Sequence, residues 1–227
     1  MTPWKTTNRS AVHPDGSFIV FEGIDGAGKS TQAKKLAEKL SELGIPTLLT
    51  AEPSQSPAGR IIRSFKTRPD PGEEVRLFTE DRRHHVQQVI QPTLDAGRTV
   101  VCDRYVYSSV AYQGARGIRP EEIISVNRAF AIAPDVIFLL EVPIEVALTR
   151  IGAGRRQGAS PFEARENLES VARIYRSLSD PLLQRLDGTA AVAEVHLRIV
   201  ELLRGLAHSA QLRRVLASDG SSSPPFS

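Results

Sequence analysis

Ser17-Phe18-Ile19-Val20-Phe21-Glu22, followed at once by Gly23-Ile24-Asp25-Gly26-Ala27-Gly28-Lys29-Ser30, decides the fold. The first six residues are a short apolar run of strand type. The next eight fit the pattern G-x-x-x-x-G-K-[ST]. Beyond them Ala33, Leu36, Ala37, Leu40 and Leu43 recur at helical spacing and form one apolar stripe. Gly44 then suits a C-cap. Strand, glycine-rich turn and helix, in that order, are the setting in which this motif cradles phosphate. The glycines let successive N–H groups turn inward onto phosphate oxygens. The helix adds its positive N-terminal end. An ATP site is therefore expected at Gly23, Ile24, Asp25, Gly26, Ala27, Gly28, Lys29, Ser30 and Thr31. Lys29 is expected to reach the β- and γ-phosphates, and Ser30 to ligate Mg²⁺.

Working outward, short apolar runs alternate with amphipathic stretches, the pattern of βα units around a parallel sheet. Pro46 to Thr50 is a second strand candidate, and residues 73 to 96 read as mostly helical. Thr99 to Cys102 is a third strand and ends at Asp103, where a carboxylate of the Walker-B type would help hold Mg²⁺. Val136 to Leu140 and Leu182 to Leu186 complete the set, the last closed by Asp187-Gly188-Thr189. A final helix is expected from about Ala191 to Ala207. The fold predicted is an α/β three-layer sandwich with a five-stranded parallel sheet. Ligands in such sheets sit beyond the carboxyl ends of the strands. Those ends lead into Gly23–Ser30, Glu52-Pro53 and Asp103-Arg104.

The chain of 227 residues suffices for one large domain. A net charge of +3 gives no argument for nucleic acid or membrane as partner. The single cysteine, Cys102, lies in an apolar run and reads as a buried core thiol. No run of 18 apolar residues is present, and the first 16 residues lack the apolar stretch of a secretory signal. A cytoplasmic location is the expectation. Residues 1–16 and 209–227 read as tails, leaving 17–208 as the folded domain. The five histidines, His84-His85 included, make no metal site, because adjacent residues on a helix face different directions.

A phosphate cradle alone does not separate kinases from GTPases, motors or regulators. No Asn-Lys-x-Asp stretch follows a strand, which argues against guanine recognition. The acceptor side decides. Phe21 to Gln32, Glu52-Pro53, Leu77-Phe78 with Asp81-Arg82, Asp103-Arg104-Tyr105, Ser108 to Gly114 and Pro134-Asp135 occur in order. In these segments the chain resembles the thymidylate kinase family over about residues 17 to 205.

The resemblance implies an ATP- and Mg²⁺-dependent kinase that phosphorylates dTMP to dTDP, and a homodimer. It implies that Phe78 stacks on thymine and that Arg82, one turn later, contacts the base edge. Arg104 would bind the acceptor phosphate, and Asp25 the sugar 3′-hydroxyl. Tyr112 would crowd the 2′ position, with Ser109 and Gln113 lining the base pocket. Glu80 and Asp81 either pair with Arg82 or face solvent. Between Thr149 and Pro161 the sequence TRIGAGRRQGASP has the composition of a mobile lid. Arg150 is expected on ATP. The family draws its catalytic arginine from the P-loop in some members and from the lid in others. The relevant P-loop position here is Gly26, which points to Arg155 and Arg156. Two alternatives stand beside this reading. One is another nucleoside or nucleoside monophosphate kinase, of which a kinase with an unphosphorylated acceptor would not need Arg104. A non-catalytic P-loop regulator would have no use for Phe78, Arg82, Arg104 and Tyr112 together.

Overall fold

The structure, a computed structural model, describes residues 16–153, 161–206 and Leu216. Five parallel strands form one sheet in the order β2-β3-β1-β4-β5. They are β1 (Phe18–Glu22), β2 (Thr47–Ala51), β3 (Thr99–Asp103), β4 (Val136–Glu141) and β5 (Leu183–Asp187). Every residue of β1 is buried, on both faces of the pleat. That is why the strand reads as an unbroken apolar run and not as an alternation. The edge strands β2 and β5 are only partly buried.

The helices are α1 (Lys29–Glu42), α2 (Pro57–Ser64), α3 (Pro71–His85), α4 (Gln91–Asp95), α5 (Val106–Gly114), α6 (Pro120–Arg128), α7 (Ile144–Ala153), α8 (Pro161–Ser177) and α9 (Val192–Leu206). The stripe of α1 is buried at Ala33, Leu36, Ala37 and Leu40, as its spacing requires. Truncating Leu36 in such a core would cost about 2–5 kcal/mol. Helix α1 packs against α9, and α5 packs against α3, α6 and α8.

Two details differ from the sequence reading, the π-helical turn in 73–96 and the place of Thr149 to Ala153. The predicted helix over 73–96 is α3 and α4 joined by a π-helical turn, Val86–Ile90. His85 ends α3 and is buried, whereas His84 is exposed. Thr149 to Ala153, expected in the loop, complete α7. Among the described residues no helix is long and apolar enough to cross a membrane.

Register brings the chemistry to one edge. Phe21 and Ala51 both pair with Asp103, and Glu22 pairs with Leu139. The ladder continues one residue further, with Arg104 N–H donating to Phe21 O at 2.9 Å and Glu52 N–H to Asp103 O at 3.0 Å. Glu22, Glu52, Asp103 and Arg104 thus leave the sheet side by side.

Candidate active site

Gly23 to Ser30 joins β1 to α1, and Gly28, with φ of 101°, forms the N-cap of that helix. Gly26 has φ of 79°, and a Cβ there would lie 2.6 Å from Ala147 O of α7. Glycine is therefore required at this position on both counts. The Lys29 side chain is buried, and its Nζ donates to Ile24 O at 2.8 Å. Burial, followed by the charge of Arg104, lowers its pKa from 10.5 to about 7, against the pull of Asp25, Asp103 and Glu22. Ala27 is buried, and Thr31 is exposed on the first turn of α1.

Ser30 Oγ donates to Asp103 Oδ2, while Asp103 Oδ1 is buried without a hydrogen-bond partner among the described residues. A hydroxyl beside an unsatisfied carboxylate oxygen, at the mouth of a phosphate loop, fits Mg²⁺. That ion takes oxygen ligands from one or two carboxylates and the substrate phosphates.

Arg150, on α7, donates from Nη1 to Gly188 O at 3.0 Å and to Gly26 O at 3.3 Å. A Cβ on Gly188 would lie 2.8 Å from Val142 Cγ1 and 2.9 Å from Ala27 O. The turn after β5 is thereby held against the phosphate loop.

On the other side of that loop three residues form a triangle. Arg104 Nη2 donates to Asp25 Oδ1, and the Asp25 N–H donates to Tyr112 Oη at 2.9 Å. The Arg104 guanidinium lies 5.1 Å from the Tyr112 ring centroid, within cation–π range. Arg104 holds φ of 73°, the single positive value among described non-glycine residues. Such a conformation costs about 1–3 kcal/mol and persists where neighbours over-determine it. Here the Phe21 carbonyl fixes the Arg104 N–H, and Cys102 Sγ donates to the Arg104 carbonyl at 3.1 Å.

Phe78 and Arg82, the residues expected on the base side, both lie on α3. Phe78 is half-buried. Arg82 is 1 % exposed, and every partner of its guanidinium is internal. Nε donates to Glu52 Oε2 at 2.8 Å and Nη1 to Asn127 Oδ1 at 2.9 Å. Nη2 donates to Tyr105 O at 3.0 Å and Ser109 Oγ at 2.9 Å. The carboxylate that pairs with Arg82 is thus Glu52. Asp81 turns the other way and accepts from Ser54 N–H, Ser54 Oγ and Ser56 Oγ at 2.8, 2.6 and 2.6 Å. Glu80 is exposed and pairs with Arg76. Glu52 also meets His85 Nδ1 at 3.3 Å, and His85 Nε2 meets Thr50 Oγ1 at 2.7 Å. Gln113 is buried, with Oε1 unpartnered among the described residues. Arg155 and Arg156 lie outside the described residues.

The thymidylate kinase family profile matches residues 21–199. A thymidylate kinase of Desulfotalea psychrophila is 41% identical over 194 residues, covering 84% of this chain and 96% of that protein. A thymidylate kinase of Brachyspira hyodysenteriae is 39% identical over 176 residues, covering 77% and 86%. A probable thymidylate kinase of Thermococcus kodakarensis is 39% identical over 208 residues, covering 83% and 98%. The chain belongs to the thymidylate kinase family.

Thymidylate kinases are nucleoside monophosphate kinases, so this chain is a phosphotransferase, and the family reaction is ATP-dependent phosphorylation of dTMP. Two polar residues around this thymidylate kinase site, Glu22 and Tyr175, had no role in the sequence reading. Glu22 is fully buried and accepts four hydrogen bonds, from Tyr105 N–H, Ser108 N–H, Ser108 Oγ and Tyr175 Oη. Burial raises its carboxyl above the usual range, and the hydroxyls of Ser108 and Tyr175 oppose that rise. The signal for Glu22 was a lone acid closing an apolar strand, one residue before the phosphate loop. Tyr175 gave no comparable signal, since its partners Glu22 and Ser108 are distant in sequence.

Proposed function

We propose that this chain transfers the γ-phosphoryl group of ATP to the phosphate of dTMP, yielding dTDP and ADP for dTTP synthesis. The observation that carries the reading is the Asp25–Arg104–Tyr112 triangle at the lip of the phosphate loop. A cation held at that point suits a phosphorylated acceptor and has no task in a nucleoside kinase.

An oxygen of the dTMP phosphate attacks the γ-phosphorus, and the bond from that phosphorus to the β–γ bridging oxygen breaks. This chemistry needs positioning and charge neutralisation, not a covalent enzyme intermediate. Arg104 holds the acceptor phosphate through a planar fork of N–H donors. Asp25 takes the sugar 3′-hydroxyl and fixes the Arg104 fork. Lys29 exchanges the Ile24 carbonyl for the β- and γ-phosphates. Tyr112, anchored by the Asp25 N–H, fills the 2′ side of the sugar and disfavours ribonucleotides. Phe78 stacks on the thymine ring. Arg82 sets the base pocket edge, with Ser109 bonded directly to it and Gln113 at the same helix. Arg150 and Thr31 join Gly23–Ser30 on the ATP side.

Ser30 and Asp103 would hold Mg²⁺, which supplies charge neutralisation on the β- and γ-phosphate oxygens when bound. The catalytic arginine is assigned to the lid between α7 and α8, at Arg155 or Arg156. What supports this is the close approach of Gly26 to Ala147, which leaves no room for a side chain at position 26 of the phosphate loop. The reading includes a cytoplasmic homodimer, with the exposed Arg83, His84, Gln87 and Gln88 face contributing to the contact.

ADP release from Mg-ATP, compared between the wild type and Arg104→Met, tests the assignment. Loss of turnover with dTMP and unchanged basal ATP hydrolysis fit it. Unchanged turnover with dTMP would refute it.

A further inference from the structure

Glu22 lies outside every role assigned above, yet it is the most heavily engaged buried carboxylate among the described residues. It closes β1, one residue before the phosphate loop. Its Oε1 accepts from Tyr105 N–H at 2.9 Å and Ser108 N–H at 3.0 Å. Its Oε2 accepts from Ser108 Oγ at 2.6 Å and Tyr175 Oη at 2.9 Å. All four lone-pair directions are thus occupied.

The polarity of this arrangement has a consequence at Arg104. Ser108 Oγ carries one proton, and a carboxylate can only accept. That proton is committed to Glu22, so the Ser108 lone pairs are left for other donors. Arg104 Nη1 donates to that oxygen at 3.3 Å. The same carboxylate fixes the Tyr105 N–H, the amide that follows the strained Arg104 backbone. Glu22 therefore governs both ends of Arg104, its main chain directly and its guanidinium through Ser108. The Tyr175 hydroxyl brings α8 into the same cluster, at 3.1 Å from Ser108 Oγ. Tyr175 is buried on a helix that supplies none of the described acceptor residues.

We propose that Glu22 is a positioning residue for the acceptor phosphate, aiming Arg104 through Ser108 and tying that aim to α8 through Tyr175. The inference rests on the reading of Arg104 as the acceptor-phosphate ligand. An amide at position 22 keeps the shape but replaces one accepting oxygen with a donating nitrogen. The Ser108 hydroxyl proton then loses its acceptor and competes for the space facing Arg104. Phenylalanine at position 175 removes a single hydroxyl from the far side of the cluster.

The test measures KM for dTMP, KM for ATP, kcat and melting temperature in full-length Glu22→Gln, Tyr175→Phe, Ser108→Ala and the Tyr175→Phe/Ser108→Ala double variant, with Arg104→Met alongside. One lost or reversed hydrogen bond corresponds to about threefold to tenfold in an equilibrium constant. The expected result is a rise of that size in KM for dTMP with KM for ATP unchanged. Glu22→Gln shows it most strongly, and the double variant rises by less than the product of its parents. Tyr175→Phe keeps the test decisive if Glu22→Gln fails to fold. A fall in melting temperature with both KM values unmoved, or moving together, would make the cluster merely structural and overturn the proposal. If Arg104→Met itself leaves KM for dTMP unchanged, the acceptor reading fails and this inference fails with it. If Arg104→Met raises it and the others do not, only this inference fails.

Discussion

Asp25 and Arg104 lie 79 residues apart and are joined by a charge-assisted hydrogen bond across the mouth of the phosphate loop. One belongs to the ATP cradle and the other to the loop after β3. On the proposed function, the pair sets the acceptor cation beside the donor site. Such preorganisation lowers the reorganisation needed when charge develops on the transferring group.

Replacing Arg104 with Lys keeps the charge and loses the fork. Hydrogen bonds to charged groups are worth about 1.5–3 kcal/mol, so KM for dTMP should rise roughly tenfold to a hundredfold. KM for ATP should stay within about twofold. Steady-state kinetics with each substrate varied in turn gives both values.

Lys29 carries the pH prediction. Its folded-state pKa of about 7 lies below its ordinary 10.5, chiefly through burial. At pH 8 the apo side chain is mostly neutral, while a bound triphosphate restores the ammonium. ATP binding at pH 8 should therefore take up a proton, by an amount that shrinks as pH falls below 7. Calorimetry in two buffers of different ionisation enthalpy measures it. Apo stability follows the same linkage. The unfolded chain binds the extra proton between pH 7 and 10.5, so this lysine makes stability rise with pH in that window. Lys29→Met should remove the increment.

Asp81 is a structural carboxylate. Asp81→Ala leaves Ser54 N–H and two serine hydroxyls unpaired in the interior, at about 1–3 kcal/mol for each group left unsatisfied. A clear drop in melting temperature is expected. Glu80→Ala, next door and exposed, should leave the melting temperature unchanged.

Phe78→Ala separates a ligand platform from a core residue. Stacking on thymine predicts a rise in KM for dTMP with little loss of stability. A core role predicts a loss of about 3–5 kcal/mol instead. Chemical denaturation run beside the kinetics distinguishes the two.

What the sequence made legible was whatever depends on local pattern. β1, β3 and β4 are central strands, and their apolar runs follow from burial on both faces. The P-loop carries its own glycine chemistry, and the α1 stripe its own period. The π-helical turn after His85 has no sequence period to announce it. Nor does an isolated arginine reveal its partners. Arg82 stands one turn from Phe78 on α3, which suggests a shared face. Yet its guanidinium runs inward to Glu52 and Asn127, because buried cations need paired carboxylates and carbonyls. Glu52, Asn127 and Ser109 come from three separate elements, so only the tertiary fold assembles that hub. His85 is held the same way, by Thr50 and Glu52.

The most direct measurement of the central claim is acceptor preference. ADP release from Mg-ATP would be followed with dTMP, deoxyuridine monophosphate, uridine monophosphate and thymidine as acceptors. dTMP should be the best acceptor, with uridine monophosphate disfavoured by Tyr112 and no turnover of thymidine. Turnover of thymidine without turnover of its monophosphate would contradict it, because Arg104 would then have no phosphate to hold.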